Sequence, residues 1–267
     1  MPVIGRFRYL ERPAAPGVRP RGVLVLIHAF PLDARMWEPQ MSLAGHGWRV
    51  IAPQLRQFGD DGRQDPPAAS VDDYAGDVID LLDALRIGDA VVGGLSMGGY
   101  VSLAICRLAG RYVQGLILAD SRAEADTPEG VENRKRLLAL VGEKGPQAVV
   151  DEMVPKLVGA TTAQSRPDVM ARVRALARSS SASAISGALT ALMTRPDSSP
   201  TLARLHVPTL VIVGAEDTLT PPALSEQMRQ TVPGAELAIV PAAGHLSNLE
   251  QPDGFNAALA HFLEHRV

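Results

Sequence analysis

Ala90-Val-Val-Gly-Gly-Leu-Ser-Met-Gly98 joins an apolar, β-branched run to the start of a helical pattern. Ala90–Val92 reads as a buried strand, and Met97 to Ala109 carries Val101, Ala104, Ile105 and Leu108 at helical spacing. Between them stands Gly94-Leu-Ser-Met-Gly98, a G-x-S-x-G turn placed between strand and helix. Such a turn holds the serine, Ser96, in strained backbone dihedrals with its Oγ exposed above a sheet. The glycines two before and two after it are needed because strand and helix backbones approach too closely there for Cβ atoms. The helix N-terminus adds a positive dipole end beside Ser96. Two rival readings of the glycines fail. A dinucleotide fingerprint needs its second glycine two residues after the first, which falls on Leu95 or Ser96, and no Lys stands nearby to make a phosphate loop.

Outward from this turn the chain alternates short apolar runs with helical patterns. Val23–Ile27, Arg49–Ala52, Leu116–Ala119, Thr209–Val213 and Leu237–Val240 are apolar on both faces and end at Gly, Pro or a polar turn. That pattern suits strands covered on both sides, as in a parallel sheet. Ser70-Val-Asp-Asp73 opens a helix with a cap-like start, and Phe255, Leu259, Phe262 and Leu263 mark a last one. The expected fold class is α/β, a doubly wound, mostly parallel sheet with right-handed crossovers. From Arg122 to Leu205 the pattern is only helical, near 129–142, 145–158, 167–178 and 182–194, with no Phe, Tyr, Trp or His. This is too long for an ordinary crossover. Residues 122–205 therefore read as an inserted helical cap on a core made of 1–121 and 206–267.

Composition narrows the function. The 267 residues are 46% hydrophobic, enough for a substantial core, and carry a net charge of −3, which argues against a nucleic-acid partner. One cysteine, Cys106, excludes a disulfide framework and a Cys-rich metal site. There is no run of apolar residues of membrane-spanning length and no apolar leader at the start, so a cytoplasmic protein, monomer or homodimer, with no membrane association is expected.

A serine is a poor nucleophile alone; it needs a base and a group that orients the base. The strand–turn–helix topology predicts the chain order Ser, acid, His, each after a later strand. Asp217 follows Thr209–Val213 in Gly214-Ala-Glu-Asp217, and His245 follows Leu237–Val240 in Pro241-Ala-Ala-Gly-His245. Glu216 and Asp120 are the competing acids. His46 and His206 precede strands, and His261 and His265 lie in the last helix. An oxyanion hole would take one N–H from Met97 and a second from Phe30, in the loop after Val23–Ile27; Pro31 has no N–H to give. His28 in the same loop is expected to shape the loop.

His28-Ala-Phe-Pro31, Gly94-Leu-Ser-Met-Gly98, Gly214-Ala-Glu-Asp217 and Gly244-His245 resemble, in order and spacing, the α/β-hydrolase superfamily, and within it the 3-oxoadipate enol-lactonase-like and carboxylesterase branch with a helical cap. The likeness covers nearly the whole chain, strongly in the sheet segments and weakly in the cap. Two positions depart from the family pattern: Ala29, where a glycine is usual, and Gln57, where a glycine is common. The resemblance implies a serine hydrolase cleaving an ester or lactone through Ser96, His245 and Asp217, with no metal or organic cofactor, and the aromatic-free cap favours a small to medium acyl group. Phe30, Leu138, Met153, Leu157, Leu189 and Met193 are expected to line an aliphatic substrate pocket, with Leu137, Val141, Val154 and Leu192 as further candidates. Arg122, Arg134 and Arg195 are available to a carboxylated substrate. The alternatives are a cofactor-free perhydrolase or haloperoxidase with the same triad, and a ligand receptor of the same fold with slow turnover.

Overall fold

The computed structural model describes residues 1–59 and 65–267. Among the described residues, one sheet is built from β1 (Val3–Ile4), β2 (Phe7–Arg12), β3 (Gly22–Ile27), β4 (Trp48–Pro53), β5 (Ala90–Leu95), β6 (Val113–Ala119), β7 (Thr209–Gly214) and β8 (Glu236–Val240). The strand order is β1-β2-β4-β3-β5-β6-β7-β8. β3 to β8 run parallel, while β2 pairs antiparallel with β4 and with β1. All parallel strands therefore end at one edge of the sheet. The six expected apolar runs are β3 to β8. β1 and β2 lie outside that expectation because Phe7 and Tyr9 are buried in alternation with half-buried Arg8 and Leu10, so no continuous apolar run marks this edge.

Period-two geometry explains why the central strands are apolar on both faces. Val25 and Ile27 pack in one cluster with Val78, Leu82, Val101 and Ile105, while Leu24 and Leu26 pack in another with Trp37 and Phe255. The first face is covered by α1 (Val71–Ala84) and α2 (Met97–Ala109). α1 starts as expected: Ser70 Oγ accepts the Asp73 N–H, and Asp73 Oδ2 accepts the Ser70 N–H, a reciprocal cap.

Between β6 and β7 the chain is helical: α3 (Pro128–Lys144), α4 (Pro146–Met153), α5 (Ala160–Ser165), α6 (Pro167–Arg178), α7 (Ala182–Met193) and α8 (Ser199–Leu202). The single helix expected over 145–158 is broken. α4 stops at Met153, because Pro155 lacks an N–H and its ring opposes the carbonyl a turn earlier; a 3₁₀ turn, Val154–Lys156, leads on to α5. The chain ends with α9 (Pro222–Thr231), α10 (Ser247–Glu250) and α11 (Pro252–His265). Among the described residues no helix is long and apolar enough to cross a membrane.

Candidate active site

Ser96 sits between β5 and α2 with φ 54° and ψ −114°, a region that non-glycine residues rarely occupy. The turn is held from both sides: the Ser96 N–H donates to the Ala119 carbonyl (2.9 Å), and Ser121 Oγ donates to the Ser96 carbonyl (3.0 Å). The reason for the flanking glycines is metrical. A Cβ on Gly94 would stand 2.1 Å from the Gly98 carbonyl, and one on Gly98 would stand 2.0 Å from the Ile27 carbonyl oxygen. Ser121 had no sequence signal beyond its place after Asp120.

Three groups from three strand ends meet above this turn. His245 Nε2 lies 2.8 Å from Ser96 Oγ, and His245 Nδ1 lies 2.8 Å from Asp217 Oδ2. With the Nδ1 proton donated to the carboxylate, Nε2 is left to accept the serine hydroxyl. Asp217 is almost fully buried and every lone pair is used: Oδ1 accepts the N–H groups of Leu219 (2.8 Å) and Thr220 (3.0 Å), and Oδ2 also accepts Thr220 Oγ1 (2.6 Å). Burial alone pushes its pKa up; the His245 charge, that hydrogen bond and the Thr220 donors outweigh it and hold the carboxyl below its usual range. The competing acids are occupied elsewhere. Glu216 accepts the Thr161 N–H (2.8 Å) and hydroxyl (2.5 Å). Asp120 accepts the Gly214 N–H (2.8 Å) and the Ser247 hydroxyl; burial, then the nearby Asp217 charge, drives its pKa well up. Neither the Met97 N–H, first in α2, nor the Phe30 N–H is spent on another described residue.

A cavity of about 210 Å³ opens beside Ser96 and His245. Phe30, Met153 and Leu157 line it, joined by Leu137, Leu192 and Tyr100. Leu138, Leu189 and Met193 do not, nor do Val141 and Val154, which are buried in the core clusters. Leu138 is one residue, about 100° of helix, round from Leu137 and packs into the core cluster. Leu189 is fully buried in that cluster, and Leu192, not Met193, takes the cavity-facing turn of α7. The wall is also less aliphatic than the sequence suggests, since Arg122, Asp126, Asn133 and Arg134 form part of it. Asp126 receives three guanidinium groups: Arg122 (2.8 Å), Arg195 (2.5 Å) and Arg134. Burial raises the Asp126 pKa, but the Arg134 hydrogen bond and the charges of Arg134 and Arg195 bring it below the usual carboxylate range. Arg195 is itself buried, stacked 4.2 Å from the Tyr100 ring.

Residues 24–258 match the alpha/beta hydrolase family. The chain belongs to that family. A thermophilic esterase from Thermogutta terrifontis, solved with malate bound, superposes with a TM-score of 0.90 at 36% identity, covering 97% of this chain and 93% of the esterase. The 3-oxoadipate enol-lactonase 2 of Acinetobacter baylyi is 28% identical over 245 residues, covering 91% of this chain and 89% of that enzyme. A protein of Synechocystis sp., provisionally named a non-heme chloroperoxidase, is 28% identical over 257 residues, covering 90% and 91%.

The two departures of this α/β hydrolase from its family's pattern have structural explanations. Ala29 is not at positive φ, so its methyl costs no strain. Gln57 does adopt φ 67°, the conformation that favours glycine; its Nε2 donates to the Asp65 carbonyl (2.7 Å), which helps to hold it there. His28 stays away from the serine. Its Nε2 accepts the Leu55 N–H (3.2 Å) and its Nδ1 donates to the Ala29 carbonyl (3.1 Å), so the neutral ring pins one loop to the next. Full burial lowers its pKa to about 4. The unfolded chain, with an ordinary histidine near 6.5, then binds the proton more readily than the folded hydrolase between pH 6.5 and 4. Stability is lost as pH falls through that window, by about 3 kcal/mol from this group. Urea unfolding from pH 7 to 4.5 is expected to show a shallower loss in His28→Gln than in wild type; equal slopes would remove His28 from the account.

Proposed function

We propose that this chain is a serine hydrolase of carboxylic esters or lactones, with Ser96 as nucleophile, His245 as general base and acid, and Asp217 holding the imidazole. One observation carries the reading: the unbroken 2.8 Å contacts from Asp217 through His245 to Ser96 end at a cavity with room for a small acyl group. Ser96 Oγ attacks the carbonyl carbon as His245 Nε2 takes its proton. The N–H groups of Met97 and Phe30 receive the oxyanion, and loss of one such donor typically costs about 2.7–4 kcal/mol. His245 then protonates the departing alkoxide, and water cleaves the acyl-enzyme by the reverse path. Residues 122–205 act as the cap that shapes the acyl site. The esterase and enol-lactonase names of the relatives support an ester or lactone substrate. A series of p-nitrophenyl esters tests the reading: turnover is expected with short acyl chains, and a fluorophosphonate probe is expected to label Ser96 alone. Labelling elsewhere, or no turnover, would overturn it.

The charge of the pocket narrows the substrate. Three guanidinium groups share one carboxylate at Asp126, and the buried Arg122 Nε has no acceptor among the described residues. An acyl part bearing a carboxylate would use the surplus donors. Mono-p-nitrophenyl succinate is expected to be preferred over p-nitrophenyl butyrate, and Arg134→Gln to reduce that preference about tenfold through the lost charge-assisted bond. An equal effect on both esters would reject the anionic preference. The chloroperoxidase-named relative favours one second reading, peroxide as acyl acceptor; peracid formation from acetate and peroxide measures it.

A further inference from the structure

Around Gly159 the helical segment meets the two loops that carry Asp217 and His245, and carboxylates make the joint. Glu250, the last residue of α10, is fully buried. Its Oε1 accepts the N–H groups of Gly244 (2.9 Å) and Leu246 (3.2 Å), the residues on either side of His245. Its Oε2 accepts the N–H of Gly159 (2.8 Å), which precedes α5 in the helical segment. Two residues before Gly159 is Leu157, in the pocket wall. One residue before Asp217, Glu216 grips Thr161 in the same segment. The fit is tight: a Cβ on Gly244 would lie 2.2 Å from the Gly159 nitrogen.

We propose that Glu250 is a positioning residue that makes the seating of the helical segment and the setting of the His245 imidazole a single event. All three of its partners donate, and they approach both oxygens, so only a carboxylate satisfies them together. When Gly159 is drawn onto Oε2, Leu157 closes the pocket wall; the same side chain spaces the backbone that aims Nε2 at Ser96. A shift of about 1 Å in that aim costs on the order of 10²-fold in rate. The inference rests on the hydrolase reading, which wild-type ester turnover and Ser96 labelling establish separately.

The test is Glu250→Gln, assayed with p-nitrophenyl butyrate after active-site titration with the fluorophosphonate. The amide keeps the shape and one acceptor oxygen but sets an NH₂ against at least one of the three N–H groups. Per titrated site, kcat is expected to fall about 10²-fold, KM to rise as the Leu157 wall loosens, and the downfield proton resonance of the imidazole Nδ1–H to broaden. A clamp that served only stability would lower Tm and leave kcat per site unchanged, and that result would overturn the proposal. Gly159→Ala keeps the question open to test if Glu250→Gln does not fold. Its Cβ, placed 2.5 Å from Glu216 Oε2 and 2.8 Å from the Gly244 nitrogen, must lift the segment while Glu250 itself is intact. There kcat is expected to fall about tenfold; wild-type kcat would break the coupling.

Discussion

Ser96→Ala is expected to lower kcat/KM for a short p-nitrophenyl ester by at least about 10³-fold, roughly 4 kcal/mol of transition-state stabilisation, with little change in KM. The variant loses one oxygen and nothing that shapes the pocket, so binding is retained while attack by Oγ is not. Residual turnover would come from the N–H groups of Met97 and Phe30 acting on water-driven hydrolysis. Because 2.8 Å contacts join Asp217 to His245 and His245 to Ser96, the proposed triad would act as one unit, and Ser96→Ala combined with His245→Ala is expected to cost about as much as either alone. Additive losses would mean that the two side chains act independently. Stability supplies a second check. Alanine inherits the φ of 54°, so Ser96→Ala gains no relief, whereas Ser96→Gly is expected to be about 1 kcal/mol more stable than Ser96→Ala. A Ser96→Ala protein with wild-type kcat/KM would reject the nucleophile.

The sheet was legible because its central strands are buried on both faces, so Val23–Ile27, Thr209–Val213 and their neighbours carry unbroken apolar runs. The positions of Ser96, Asp217 and His245 followed from that, since parallel strands all end at one edge and each residue lies just beyond its strand. What resisted was whatever depends on side-chain direction. Neighbouring residues on a helix differ by about 100°, and periodicity alone did not say whether Leu137 or Leu138 on α3, or Leu192 or Met193 on α7, faces the cavity. The three arginines at Asp126 look like ordinary surface charges in sequence because the partners are separated by up to 69 positions. Glu250 was equally silent: a glutamate that satisfies only backbone N–H groups leaves no paired side chain to notice.

Gly98→Ala is expected to be among the most damaging single methyl groups at the described glycines, destabilising the fold by more than about 4 kcal/mol. The added Cβ would meet Ile27 O at 2.0 Å, Ile27 C at 2.7 Å and His28 O at 3.1 Å. These are main-chain atoms of β3 and the loop after it, so no rotamer change can clear them. Either α2 lifts off the sheet or β3 shifts. Each movement separates the Met97 N–H from the Phe30 N–H and carries Ser96 out of reach of His245, so activity per folded molecule should fall by about 10²-fold or more. Gly110, at the other end of α2, makes the control. Its φ is −52° and nothing lies within 4 Å of a Cβ there, so Gly110→Ala should be neutral or stabilise by about 0.4–1 kcal/mol through the unfolded chain. Urea unfolding of the two variants beside wild type, with ester turnover measured on each, separates a steric cause from a general intolerance of substitution in α2. A wild-type midpoint for Gly98→Ala would mean that strand and helix are not in the close contact on which the turn at Ser96 depends.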